Sequence, residues 1–488
     1  MKFNFIFLLS LCLFMGACGD KDKTGTPKPK ELVYSDSYIH NLVQTGTLVV
    51  VDEHSRPVAG ASVLIGNEIN HPFQNNLLKT DDKGMIIIPA EWTSALPVTI
   101  DLDGYIRVTY LEQIPGGIYF RIKKKNGFPQ YEIYGETLGH NVKNYDDQLD
   151  FGLVVESMTK EDLLTFDINK VISPLSDVIS VVGFDLSVPG NLSIPTQKES
   201  YFLPLTLSKP VYRIRTAALG KKRVLGLRGY FPFKTVVDAV RGGEKSYADM
   251  INYFNLFGGV LQEVNVTQTR TLANLNTKAM NFTAQTQIVA PFFKAQEAFL
   301  AIGASQNSGA WFPTDIKRLE PRQQQSLKLL PNGESYLIGV LKNKNEFAVG
   351  PNAGRMSATI VPVTPNAEFS LIPLIENPRM ISNSEFTFTK PSQRARNIKE
   401  SGTYAVISST NTLRSEINET QVVLSREWEI YANSWIDSMK LPKFPSKPSR
   451  ASRRLEVSFI GSTTARDIEP GSAMIENATH VTRSSIDF

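Results

Sequence analysis

Along most of this chain apolar residues recur at every second position, not every third or fourth. That period puts one face of an extended strand inside and the other outside. Thr47 to Val51 is a β-branched run, followed by the turn chemistry of Asp52-Glu53-His54-Ser55-Arg56-Pro57. In Ala59 to Ile65 the residues Ala61, Val63 and Ile65 share a face. Thr80-Asp81-Asp82-Lys83-Gly84 turns into Met85 to Ile88, Pro97 to Ile100 leads to Asp103-Gly104-Tyr105, and Gly117 to Lys123 provides a last strand of this group. Strands are expected further on at Phe151 to Glu156, Val178 to Val182 and Asp185 to Val188. Tyr212 to Thr216 and Val224 to Leu227 alternate as paired strands would, and Val264 to Val289 is alternating and Thr-rich. From Leu337 a third β-rich stretch holds Phe347 to Val349, Ser357 to Val363, Glu368 to Ile372 and Phe386 to Thr389. Tyr404 to Ser408, Gln421 to Tyr431 and Leu455 to Ile460 continue it at sandwich-like spacing.

Helical signals are few. Thr159-Lys160-Glu161-Asp162 resembles a capping box with Asp in place of Glu. Phe233 to Val240 and Ser246 to Phe257 read as two helices separated by Arg241-Gly242-Gly243. Ser246 with Asp249 forms the N-terminal box, and Gly258 the C-terminal cap. Met250, Tyr253, Phe254 and Phe257 then form one apolar stripe, expected to pack on a sheet, with a partner or lipid surface as the alternative. Leu32 to Val43, with Tyr34 and Tyr38, reads as a lead-in packed on the first domain, and Arg318 to Leu330 as a surface helix or loop. Gly461 to Phe488 is polar and weakly patterned, a loop or fraying tail.

The start of the chain departs from this alternation. After Lys2, Phe3 to Met15 is a nearly uninterrupted apolar run of 13 residues. That is shorter than the roughly 20 residues of a membrane-spanning helix, and it has the form of a secretory signal. Met15-Gly16-Ala17-Cys18 resembles the lipobox of bacterial lipoproteins, with Met where Leu is usual. The resemblance implies cleavage before Cys18 and diacylation of its thiol. An ordinary signal ending at Ala17 is the alternative. Each buried methylene contributes about 0.8 kcal/mol, and one acyl chain binds only marginally, so the two or three chains implied would hold firmly. Gly19 to Lys30 is charged and rich in Gly and Pro without a large apolar residue, hence an extended tether. Gly19, where Asp would favour inner-membrane retention in enteric bacteria, leans the resemblance toward the outer membrane.

Composition narrows the classes. With 488 residues, two to four domains are expected. Hydrophobic residues at 42% and charged residues at 20% allow a substantial core, and a net charge of +4 argues against a nucleic-acid partner. The two cysteines are Cys12 and Cys18, and the first would leave with the leader. That excludes disulfides, cysteine nucleophiles and thiolate metal sites in the processed chain.

One domain-level resemblance appears. Gly46 to Asp52, Arg56-Pro57-Val58-Ala59-Gly60-Ala61-Ser62-Val63, Thr80-Asp81-Asp82-Lys83-Gly84 and Gly104-Tyr105 together look like the carboxypeptidase regulatory-like domain. The resemblance covers a sixth of the chain and departs in the long segment Gly66 to Lys79. It implies a small transthyretin-like β-sandwich without catalytic residues, a spacer or binding module. The expected organisation is a signal peptide over 1–17, a tether over 18–31 and a transthyretin/Ig-like β-sandwich over 32–125. A β-rich domain over 126–335 carries the two-helix insertion at 233–257, a sandwich-like domain covers 336–460, and a polar tail covers 461–488.

Candidate chemistry is sparse. The five histidines, His40, His54, His71, His140 and His480, form no metal-spaced pair. Gly303-Ala304-Ser305-Gln306-Asn307 lacks the final glycine of a nucleophile elbow, and Gly220-Lys221-Lys222 lacks the parts of a phosphate loop. Asp101-Leu102-Asp103-Gly104 opens like a calcium loop without its later acids and reads as a strand-end turn. Glu427 and Glu429 share a strand face. Glycosidase acids flank a substrate from opposed positions, so a solvated face is the expectation. Trp428 is expected in the core, and Trp435 as an exposed platform for sugar stacking. Lys440, Lys443, Lys447, Arg450, Arg453 and Arg454, interleaved with prolines, make a stiff basic loop. It is either merely solvated or turned toward lipid headgroups, cell-wall polymer or an acidic partner.

These readings converge on a mainly β, lipid-anchored protein of the bacterial envelope, with binding, adhesion or assembly expected over catalysis. No cofactor is expected, the lipid bilayer is the partner of acylated Cys18, and an envelope polymer or another envelope protein is a further one. The alternatives are a hydrolase of cell wall or polysaccharide within 128–488 and an accessory subunit of a transport or secretion complex.

Overall fold

Twelve strands hydrogen-bonded edge to edge form the sheet around which the computed structural model is arranged. It describes residues 32–488 except 118, 126, 128–129, 141–147, 166–175, 182–183, 194–209, 233, 236–237, 239–250, 345–353, 365–366, 392–396, 415–419, 445–451 and 465–470. The strands of this main sheet are β1 (Ser62–Ile65), β2 (Leu77–Lys79), β3 (Leu96–Asp101), β4 (Arg107–Gln113), β5 (Glu297–Asn307) and β6 (Ala310–Leu319). They continue as β7 (Glu334–Asn343), β8 (Met356–Pro362), β9 (Lys399–Arg414), β10 (Thr420–Ala432), β11 (Arg453–Ser462) and β12 (His480–Asp487). Their spatial order is β6-β5-β7-β8-β12-β11-β9-β10-β4-β3-β1-β2. The pairings are antiparallel except β10 with β4, a parallel junction running from Trp428 opposite Arg107 to Tyr431 opposite Tyr110.

Smaller sheets cover both faces. Near the start of the described chain, the strand Thr47–Asp52 lies between Met85–Ile87, antiparallel, and Phe120–Ile122, parallel. This small sheet faces β1 and β3 across Leu48, Val50, Val63, Ile65, Val98, Ile100 and Phe120, all buried, which makes the expected N-terminal sandwich. The opposite side of Thr47–Asp52 buries Val49 and Val51 beneath helix α1 (Asp36–Gln44). That helix forms because Ser35 caps Tyr38 N at 3.3 Å and because Ile39 and Val43, one turn apart, share the buried face. The lead-in therefore packs as expected, with the Tyr34 hydroxyl donating to the Lys83 carbonyl oxygen.

A second layer pairs Gln148–Glu156, Gly220–Pro232 and Asn255–Val266 in a five-stranded sheet. Phe151, Val155, Leu225 and Leu256 join the core shared with β5 and β6. Val154, Val224 and Val264 point the other way, against Ile133, Tyr212, Ile214 and Leu275. Two further small sheets cover the outer faces of β5–β7 and β9–β11, through Ile288 and Leu327 and through Phe386 and Met439.

Several expectations change. Tyr212–Thr216 and Val224–Leu227 are strands, but each pairs elsewhere, the first with Tyr131–Leu138 and the second with Gln148–Glu156 and Asn255–Val266. Of the two-helix insertion, Lys234, Thr235 and Asp238 are helical, and 239–250 lies outside the described residues. The second helix does not reach Phe257: Ile251–Tyr253 is a single 3-10 turn and a strand begins at Asn255. Leu256 and Gly258 are buried at a spacing of two, and the ladder to Gly220–Pro232 takes the backbone that a helix would have used. Met250 lies outside the description. Phe254 packs against Phe151 and Phe231, so this part of the stripe faces the interior. Arg318–Leu330 contains the strand Gln324–Leu329 and no helix.

The polar tail is also corrected, because His480–Asp487 is β12, flanked by β8 and β11 inside the main sheet. Its buried positions hold His480, Thr482 and Ser484 with one apolar residue, Val481, and the Thr482 hydroxyl donates to the Pro373 carbonyl oxygen at 2.9 Å. The sheet also runs across the expected limit at 335/336, since β5 pairs with β7.

Candidate binding cavity

Three short elements meet at one end of β5–β8. Helix α2 (Lys160–Leu164) starts at the expected capping box: Thr159 Oγ1 accepts from Asp162 N at 3.2 Å, and Asp162 Oδ2 accepts from Thr159 N at 2.8 Å. The box fixes Lys160 and Glu161 in the first turn. Helix α3 (Ser472–Glu476) ends beside it, where the Glu476 carbonyl oxygen accepts from Lys160 Nζ at 2.8 Å. The β5–β6 hairpin turns through Ser308 and Gly309, both at positive φ, and delivers Trp311. The Trp311 backbone exchanges hydrogen bonds with Met158, at 3.0 Å from its N–H, which ties the hairpin to the start of α2.

Between these elements lies a cavity of about 560 Å³, lined by Thr159, Lys160, Glu161, Gln306, Trp311, Tyr336, Ile360, Glu476, Thr479 and Lys123 among others. The Trp311 and Tyr336 rings meet at 4.7 Å between centroids and 47° between planes. With its amide turned so that oxygen faces a donor and nitrogen an acceptor, Gln306 donates to Glu334 Oε2 and accepts from Trp311 Nε1 at 3.2 Å. Burial pushes the Lys160 ammonium down to about 8, which leaves it mostly charged at neutral pH.

Behind Glu161 a polar network runs through the exposed Arg426 to the buried Glu429. Arg426 Nη2 meets Glu161 Oε1 at 2.6 Å, and Arg426 Nη1 meets Glu429 Oε1 at 3.5 Å. Glu429 is 2% exposed and accepts from the Tyr404 hydroxyl at 3.2 Å and the Tyr431 hydroxyl at 2.9 Å. The expected solvated face at Glu429 is therefore wrong: the position is enclosed by the parallel β10–β4 junction and a stack of three tyrosines. Tyr110, Tyr431 and Tyr404 follow one another at 5.3 and 5.0 Å. Burial first, then the Glu429 carboxylate, holds the Tyr431 hydroxyl well above its usual range; burial first, followed by the Glu161 and Glu429 carboxylates, does the same at Tyr404. Both therefore remain protonated donors.

The sequence-predicted residues fall elsewhere. Cys18 lies outside the described residues, as do Lys447 and Arg450. Trp428 is in the core as expected, its Nε1 donating to Thr109 Oγ1 at 2.8 Å. Trp435 is not an exposed platform: it is 4% exposed, donates from Nε1 to the Ile460 carbonyl oxygen and meets the Phe459 ring edge-on. The basic cluster is divided. Lys440 is exposed in the strand Ser438–Lys440, and Lys443 is exposed and paired with Glu68 at 2.7 Å. Arg453 is half-buried in β11, and Arg454 is 4% exposed with both Nε and Nη2 on Asp487. Arg454 is thus no part of a solvated basic surface. Its partner comes from β12, within the stretch expected to be a polar tail.

Trp311, Tyr336 and Gln306 escaped sequence reading because they come together only through the pairing of β5 with β6 and β7. Among the described residues no group of three or more His, Cys, Asp or Glu side chains is placed to hold a metal, and no helix is long and apolar enough to cross a membrane.

No protein-family model matches the chain, and no curated protein matches it. Among solved structures, a candidate adhesin from Bacteroides ovatus is 13% identical at a TM-score of 0.14, covering 45% of this chain and 74% of its own. A streptococcal ancillary pilin is 10% identical at a TM-score of 0.12, covering 67% and 98%. The major pilin subunit of Bacillus cereus is 8% identical at a TM-score of 0.14, covering 81% and 98%. At such scores these likenesses carry no argument about function, and the molecule's kind rests on its own mainly β architecture.

Proposed function

We propose that this chain is a lipid-anchored protein of the bacterial envelope, held at the outer membrane through Cys18, whose β body binds rather than transforms its ligand. The anchor is supported by Met15-Gly16-Ala17-Cys18 and by the tether that follows. The N-terminal sandwich serves as its carboxypeptidase regulatory-like spacer. The observation that carries the binding reading is the engagement of Glu161, the cavity carboxylate held by Arg426 at 2.6 Å, with Glu429 behind it bonded to two tyrosine hydroxyls.

Two measurements test it. Cells grown with a labelled fatty acid should label the wild-type protein and not Cys18→Ala; continued labelling of the variant overturns the anchor. The purified chain should leave peptide, ester and glycan panels intact. Turnover that disappears in Glu161→Gln would make the protein a hydrolase.

A further inference from the structure

From the cavity at the end of β5–β8 we infer that the ligand is a short neutral saccharide of one or two rings, stacked on Tyr336 beside the buried Trp311. The inference rests on the binding reading above and names the ligand class of the same site. A volume of about 560 Å³ falls within the roughly 300–1,000 Å³ of small-ligand sites. The lining combines two properties that a sugar ring also combines. Tyr336, packed against the buried Trp311, offers apolar aromatic surface to C–H faces, while Lys160, Gln306, Glu161 and Thr479 offer donors and acceptors to hydroxyl edges.

Charge selects against an ionic ligand. The lining holds two lysines, Lys123 and Lys160, and two glutamates, Glu161 and Glu476, so its formal charge balances and favours neither an anion nor a cation. The polar groups are also held before any ligand arrives. Lys160 is fixed on the Glu476 carbonyl oxygen, Glu161 on Arg426, and Gln306 between Glu334 and Trp311. Fixed groups lose little further freedom on binding, which raises affinity for a ligand that fits them.

The test uses saturation-transfer NMR on the full chain with cellobiose, maltose and N,N′-diacetylchitobiose, with digalacturonate as the anionic comparison. At least one neutral disaccharide should bind at millimolar concentration without being cleaved. Tyr336→Ala should weaken that binding at least roughly tenfold, and Tyr336→Phe should keep it. Gln306→Ala, which removes the amide held between Glu334 and Trp311 Nε1, should also weaken it, while the unfolding midpoints show that the variants are folded. Absence of signal from all three neutral sugars overturns the saccharide assignment and leaves the anchor to the labelling experiment. So does binding unchanged in both Tyr336→Ala and Gln306→Ala, or digalacturonate binding the tighter. Cleavage of the bound disaccharide would keep the saccharide and overturn the non-catalytic reading.

Discussion

Removing the Glu429 carboxylate should destabilise the fold more than removing any one of its partners. In Glu429→Ala the hydroxyls of Tyr404 and Tyr431 lose an acceptor they reach at 3.2 and 2.9 Å in a site 2% exposed. A buried polar group left unpaired costs about 1–3 kcal/mol. Arg426 adds little, because its side chain is 40% exposed and keeps Glu161. The expected loss is therefore about 3–5 kcal/mol. Tyr404→Phe and Tyr431→Phe should each cost about 1 kcal/mol, since the carboxylate keeps its other partners. Glu429→Met combined with both phenylalanines removes donors and acceptor together and should recover most of the loss. Urea unfolding at constant pH, followed by tyrosine and tryptophan fluorescence, measures each variant. A Glu429→Ala protein within about 1 kcal/mol of wild type would refute the reasoning. So would a triple variant no more stable than the single one.

Two further changes follow from buried groups. Burial holds His480 down to about 4, against about 6.5 in an unfolded chain. Between these values the unfolded chain takes up the proton first, so stability should fall as pH drops from about 6.5 to about 4, by about 3 kcal/mol in total. His480→Asn should flatten that share of the slope when unfolding midpoints are compared across the window; equal slopes would refute it. At Gly135 an added Cβ would lie 2.0 Å from the Ala273 carbonyl oxygen, in the ladder between Tyr131–Leu138 and Arg270–Leu272. Gly135→Ala should cost about 3 kcal/mol by urea unfolding, and a neutral effect would mean that the two strands can part.

The strands rich in Val, Ile and Leu were legible in the residues. Thr47–Asp52 and Ser62–Ile65 lie on short apolar runs, Phe184–Pro189 and Arg453–Ser462 on apolar residues at every second position, and Ser176–Val181 on the β-branched residues Val178, Ile179 and Val181. So was the capping box at Thr159 and Asp162, because a cap is a local event three residues long. What could not be read is what depends on partners far away. β12 buries His480, Thr482 and Ser484 with Val481 as its one buried apolar residue, and pairing with β8 and β11 makes them interior. Tyr253, Phe254 and Phe257 fit a helical spacing, but Tyr253 ends a single 3-10 turn and Phe257 lies in the strand laddered to Gly220–Pro232. The same holds for the cavity. Trp311 and Tyr336 lie 25 positions apart in sequence and become neighbours through β5. Glu429 looked like half of an exposed pair until the parallel strand β4 enclosed it.

The position of β12 also bears on the order in which the molecule is assembled. Met356–Thr359 of β8 and Arg454–Gly461 of β11 meet only through the eight residues His480–Asp487, the latest strand of the sheet in sequence. Until that strand arrives, both neighbours present open edges, and each is a template for any extended segment at hand. The parallel junction behind them joins positions about 320 residues apart, so the sheet is dominated by contacts that form slowly. During that interval the slot between β8 and β11 does not discriminate between the β12 of its own chain and that of another copy. At high concentration, refolding should therefore yield dimers that have exchanged this strand, each sheet complete and each completed by its neighbour.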